Sequence, residues 1–210
     1  MGPSARGGEI ARGRWGIRLD RVKHRRCTAT ALTLMSAVVL IDQVSKLWAV
    51  HALTPDKPLP VLGEWFRLYL VRNPGAAFSM GTQVTIVFSL IQLAAVILCL
   101  VLSLRSRSMW SALSIGLIGG GAAGNLLDRI FRSPGGMHGH VVDFFSFWSF
   151  AVFNVADSAI TVGVAVYLLY SLVVEPARTR QVAVAAEGHG DLSVEGGAAA
   201  PAGGKKEVHG

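Results

Sequence analysis

The sequence has little charge and almost no cysteine. Only 16% of its 210 residues are Asp, Glu, Lys or Arg, against 51% hydrophobic, a balance too greasy for an ordinary soluble domain of this length. Its two cysteines, Cys27 and Cys99, lie in or beside apolar segments. That excludes a disulfide framework and a cysteine-based metal motif, and leaves them as small packing residues. There is no HExxH and no CxxC. His138-x-His140 stands near Asp143 in a Gly-rich loop and reads as solvated rather than metal-ligating. No serine sits in a GxSxG context, and the glycine run in GLIGGGAAGN lacks the GK[ST] of a phosphate loop. No metal and no cofactor is therefore expected. The formal charge is +7, but the basic residues crowd the ends and one short loop rather than forming a stripe. That pattern suits an anionic membrane surface and not a nucleic acid.

What the chain does have is long apolar runs, with a mean hydropathy of +0.47. Four are long enough to cross a bilayer, at about 28–50, 84–104, 109–128 and 150–174. They predict an all-α membrane protein of four transmembrane helices, with a short strand in its outer loops. Residues 1–27 are expected to form a disordered basic arm and 176–210 a disordered Ala/Gly-rich tail. RVKHRRC before the first run resembles the basic region of a secretory signal. The run is too long for a signal core and no small-residue cleavage site follows, so it reads as a retained first helix. To cross, that helix has to include Asp42, Gln43 and Lys46 near its far end, where Asp42 and Lys46, four apart, can pair near the interface.

Pro55, Pro58 and Pro60 rule out a helix after the first span. LGEWFRLYLVR then alternates, with Trp65, Arg67 and Tyr69 on one side and Phe66, Leu68 and Leu70 on the other, the pattern of a short strand. Asn73-Pro74-Gly75 is a turn signal, and Ala76–Ser79 leads back toward the membrane. In the third span Gly116, Gly120 and Gly124 recur every fourth residue, leaving one helix face as bare backbone for a close neighbour. The inward-side bias of lysine and arginine groups Arg21, Lys23, Arg25, Arg26, Arg105, Arg107, Arg178 and Arg180 against Lys57, Arg67, Arg72, Arg129 and Arg132. Both termini are then cytoplasmic, and both longer loops, 51–83 and 129–149, lie outside.

The residues that could do chemistry fall between Gly116 and Ser158. Asp157 is the only charge of the fourth run, seven residues in from Phe150, or roughly 10 Å below a helix start there at 1.5 Å per residue. With Asn154 and Ser158 it shares a face at i, i+3 and i+4 spacing. A carboxylate in hydrocarbon is costly and marks a functional site unless it serves as a structural hydrogen bond. Asp143 is the natural second member, since its segment re-enters the apolar layer just before the last span. Two carboxyls at one site push their proton affinities apart, one ionised and one protonated. Such a pair can activate water with one member and protonate substrate with the other. Asp128-Arg129, with Asn125 one turn back, reads as an ion pair that closes a helix end and supports the site. Arg72-Asn73 could offer donors to a peptide backbone or a lipid head group, or be a plain turn. A rival reading is a small transporter or proton pathway, whose intramembrane aspartates also face inward. Against it, these polar groups cluster at one membrane side. A purely structural membrane subunit leaves the recurrence of two Asn/Asp clusters at outer helix ends unexplained.

The chain resembles the lipoprotein signal peptidase (type II signal peptidase) family in four blocks, in order, between about residues 32 and 170. They are Asp42-Gln-Val-Ser-Lys46, Arg72-Asn-Pro-Gly-Ala-Ala-Phe-Ser79, Gly120-Gly-Ala-Ala-Gly-Asn125-Leu-Leu-Asp128-Arg129, and Val141-Val-Asp143-Phe144 with Phe153-Asn154-Val-Ala-Asp157-Ser158. The resemblance implies a multi-pass aspartic endopeptidase of the bacterial inner membrane. It would cleave signal peptides from diacylglyceryl-modified prolipoproteins on the amino side of the lipidated cysteine. It implies Asp143 and Asp157 as the catalytic pair, with Asn73, Asn125, Asp128, Arg129 and Asn154 as substrate-binding or supporting residues. It also implies a small extracytoplasmic sheet near Trp65–Val71. Prolipoprotein substrates and membrane lipids are the expected partners, and a monomer the expected state. The link between Arg129 and Asp143, with Ser133-Pro-Gly-Gly136, looks longer than the family's usual one.

Overall fold

The computed structural model describes residues 4–75, 81–148, 150–174 and 176, with the side chains of 4–20 and 81–84 outside that description. Among the described residues are four α-helices: α1 (Ser4–Ala52), α2 (Gly81–Ser103), α3 (Met109–Phe131) and α4 (Val155–Leu169). A π-helical turn, Tyr170–Val174, follows α4. The stretches long and apolar enough to cross a membrane are Arg21–Ala52, Thr85–Ser103, Met109–Phe131 and Val155–Val174. The chain divides into two units, Met1–Leu168 and Leu169–Gly210. The expected tail at 176–210 lies, apart from Pro176, outside the described residues, as does the Ala76–Ser79 segment. The expected arm overlaps α1: Arg21–Cys27, which lacks proline and glycine, is helical, and Cys27 is buried against Ala31 and Ala112.

The glycine face of α3 receives α1. A Cβ on Gly116 would lie 2.9 Å from the Ala31 carbonyl oxygen, one on Gly120 2.8 Å from that of Met35, and one on Gly124 2.6 Å from Asp42 Oδ2. The small-residue stripe thus lets two backbones approach where no hydrophobic force between helices operates. Cys99 of α2 packs against Gly119 on another face of α3, a packing role as its sequence context suggests. At one end of the bundle Thr28 Oγ1 donates to the Ser103 carbonyl at 2.9 Å, and the His24 ring lies 2.9 Å from the Ser106 carbonyl. The turn of α1 from His24 to Thr28 and the short α2–α3 loop therefore share that end.

A three-stranded antiparallel sheet occupies the other end, in the order β1 (Leu59–Leu62), β2 (Phe66–Asn73), β3 (Val141–Phe147). The alternating segment forms β2, and Leu70 joins Ala49, Leu53, Val142 and Phe144 in a buried cluster that roots the sheet on the end of α1. β3 pairs Asp143 with Val71 across a bulge between Leu68 and Val71. Two readings from sequence need correcting. Residues 141–147 are a strand rather than loop, because VVDFFSF is buried almost throughout and so does not alternate. The fourth helix begins at Val155, not Phe150: Phe153 is held by Phe145 in backbone hydrogen bonds of 2.8 and 2.9 Å, which keeps the preceding residues out of the helix.

Candidate active site

Because α4 starts late, Asp157 stands in its first turn rather than deep along it. Asn154 is the residue before the helix, and the two form a reciprocal cap. The Asp157 N–H donates to Asn154 Oδ1 at 3.0 Å, and the Asn154 N–H donates to Asp157 Oδ2 at 3.2 Å. This is a capping box, in which two backbone donors that a helix start leaves orphaned are satisfied by side chains. The Asn-x-x-Asp spacing carried that signal in the sequence. Ser158 turns away from the site, its hydroxyl donating to the Asn154 carbonyl at 2.9 Å.

Asp143 reaches the same asparagine from β3. Asn154 Nδ2 donates to Asp143 Oδ1 at 2.6 Å and to Asn125 Oδ1 at 3.1 Å, while Asn125 Nδ2 donates to Asp157 Oδ1 at 2.8 Å. Asn73, at the end of β2, donates from Nδ2 to Asp143 Oδ2 at 2.9 Å. Its Oδ1 accepts the Gly75 N–H at 2.8 Å, a side-chain turn closed by a glycine with φ +93°. Two carboxyls therefore meet around one asparagine, one delivered by a strand and one by a helix start. Asp143 is only 2% exposed. Burial pushes its carboxyl up to about 6; the Asn73 and Asn154 amide donors pull the other way, and the charge of Asp157 adds to the rise.

Asp128 and Arg129 adjoin this centre, but not as the pair the sequence suggests. Asp128 takes its cations from elsewhere in the chain: Lys46 Nζ lies 3.0 Å from its Oδ2 and Arg132 Nε 2.6 Å from its Oδ1. An i,i+4 spacing on one helix face reaches Arg132, whereas adjacent residues point apart. Arg129 turns to backbone instead, its Nη1 donating to the Gly139 and Asn73 carbonyls at 3.2 and 3.5 Å. Its charge acts on both Asp143 and Asp157. The Asp42–Lys46 pair forms as expected at 2.8 Å, with both side chains fully buried in the protein. Gln43 and Arg132 also join this group, Gln43 donating to Asp128 Oδ1 at 3.3 Å. Neither was singled out for the site, since each looks locally like a helix-end polar residue. No group of three or more His, Cys, Asp or Glu suited to a metal occurs among the described residues.

Fold and site together define a multi-pass membrane protein with an acidic pair beside a small sheet, framed by amide donors. The profile of the signal peptidase (SPase) II family matches residues 34–173. A lipoprotein signal peptidase of Mycolicibacterium smegmatis is 48% identical over 141 residues, covering 67% of this chain and 60% of that protein. Those of Rhodococcus jostii and Streptomyces coelicolor are 45% and 41% identical, covering 71% and 69% of this chain and 77% and 71% of their own lengths. Two solved structures, each described as a bacterial membrane enzyme obtained by the in meso method, superpose with TM-scores of 0.60 and 0.61 at 26% identity. They cover 69% of this chain and 88% and 94% of theirs. The chain belongs to the signal peptidase II family.

Proposed function

We propose that this protein is an aspartic endopeptidase that removes signal peptides from diacylglyceryl-modified prolipoproteins, cutting on the amino side of the lipidated cysteine. One observation carries the reading: Asp143 and Asp157 both hydrogen-bond Asn154, so two carboxyls from different elements share one small polar centre. In the mechanism one member is ionised and takes a proton from a water, whose oxygen attacks the scissile carbonyl. The protonated member donates to the carbonyl oxygen as it becomes tetrahedral. A proton then passes to the leaving nitrogen, and the C–N bond breaks. The raised affinity of Asp143 supports this, because a carboxyl that holds its proton to about pH 6 can act as an acid. Substrate that covers the site removes more water and raises that value further. Asn73, Asn125 and Asn154 hold the pair, and positive charge from Lys46 and Arg129 acts on it. The lysine and arginine bias supports a reading with both termini cytoplasmic and the acidic pair at the outer leaflet of a bacterial inner membrane.

The test is incubation of the purified chain in detergent with a lipid-modified precursor peptide. Cleavage before the cysteine, unchanged by a chelator, is expected. No cleavage, or cleavage lost to chelator, contradicts the reading.

A further inference from the structure

Lys46 takes no part in the water-activating chemistry, yet it heads the fully buried side chains in size. Its ammonium makes three contacts: Asp42 Oδ2 at 2.8 Å, Asn125 Oδ1 at 2.9 Å and Asp128 Oδ2 at 3.0 Å. Three is the full donor capacity of an ammonium. The two carboxylates that it neutralises each reach onward to backbone beside the acidic pair. Asp42 Oδ1 accepts the N–H of Ala156 at 2.9 Å, the residue before Asp157. Asp128 Oδ2 accepts the N–H of Val142 at 3.1 Å, the residue before Asp143. The third partner, Asn125, passes its own N–H to Asp157 Oδ1 at 2.8 Å. An ammonium can only donate, so it fixes the oxygen end of the Asn125 amide and leaves the donor end facing Asp157.

We infer that Lys46 is a positioning residue for the Asp143–Asp157 pair, tying β3 and the start of α4 to one buried cation on α1. The inference rests on the proposed roles of those two aspartates. A general acid and base must stand within a fraction of an ångström of their working geometry, and a displacement of about 1 Å costs on the order of 100-fold in rate. Among the described residues, Arg132 pairs with Asp128, and Arg129 donates to the carbonyls of Gly139 and Asn73. Lys46 is the one whose partners lead to both strand and helix.

The experiment compares two variants of the full chain in detergent, Lys46→Arg and the charge-balanced Asp42→Asn/Lys46→Gln. Lys46→Arg keeps the cation but replaces three converging donors by a planar fork. The double variant removes the ammonium without leaving a carboxylate unpaired. For each, thermal melting gives the folded fraction, and cleavage of a lipid-modified precursor peptide gives kcat and KM. Per folded molecule, kcat is expected to fall about 100-fold with KM within about twofold. A role in packing alone would lower the melting temperature and leave kcat per folded molecule near that of the parent. That result overturns the inference. Unchanged kcat here with inactive Asp143→Asn and Asp157→Asn sinks the positioning role only; active aspartate variants sink the pair beneath it.

Discussion

Asp143 and Asp157 differ in how each is held. Asp157 stands in the first turn of a helix and accepts the Asn154 backbone N–H. Asp143 lies on a buried strand with side-chain amide donors, and its proton affinity rises because burial outweighs them. A carboxyl raised above its unfolded value binds its proton more tightly in the folded state, so its contribution to stability is greatest in acid. It declines as pH rises from about 4 to about 6 and is flat above. At about 1.4 kcal/mol per unit, the rise from 3.8 to about 6 corresponds to roughly 3 kcal/mol across that window. Asp143→Asn cannot ionise and lacks this slope. The melting temperature of the parent minus that of Asp143→Asn should therefore fall between pH 4 and 6 and level off by pH 7. A difference independent of pH contradicts the burial argument.

Among the elements, the junction of α1 and α3 carries the site. Gly124 lies where α3 passes Asp42, and a methyl there would meet Asp42 Oδ2 at 2.6 Å and its Cγ at 3.0 Å. Gly124→Ala should therefore destabilise the protein by about 1–3 kcal/mol through overpacking, read as a lowered melting temperature in detergent. An unchanged temperature would mean the helices can separate freely there. The glycine period was legible in the sequence because a four-residue repeat is local information. The partner of Asp128 was not, because Lys46 lies 82 positions away and only the crossing of α1 with α3 joins them. The start of α4 was misread for a similar reason. Phe150-Ala-Val-Phe is as apolar as a helix, and the strand that captures Phe153 is invisible to hydropathy. The alternation of β2 announced a strand, whereas β3, buried along almost its whole length, carried no period to read.

At the scale of the bundle, the basic stretch of α1 around His24 meets the Arg105–Arg107 loop, and the acidic pair lies with the sheet at the other end. Four spans of 32, 19, 23 and 20 residues were readable from composition alone, their ends within several residues. The polarity of insertion follows from the basic bias and is open to direct measurement. Native Cys27 and Cys99 are buried, so a membrane-impermeant thiol reagent has little background. Glu64→Cys, in the exposed β1–β2 turn, should label in cells with only the outer barrier opened. Arg107→Cys, in the exposed α2–α3 loop, should label only after the inner membrane is permeabilised. The reverse pattern would place the acidic pair on the cytoplasmic side and leave secreted prolipoproteins out of its reach.

The most direct measurement is cleavage of a lipid-modified precursor by the purified parent, Asp143→Asn and Asp157→Asn, each matched for folded protein by thermal melting. The account predicts that the parent releases the signal peptide before the cysteine while both variants leave the precursor whole. Processing at the parent's rate by either variant would contradict it.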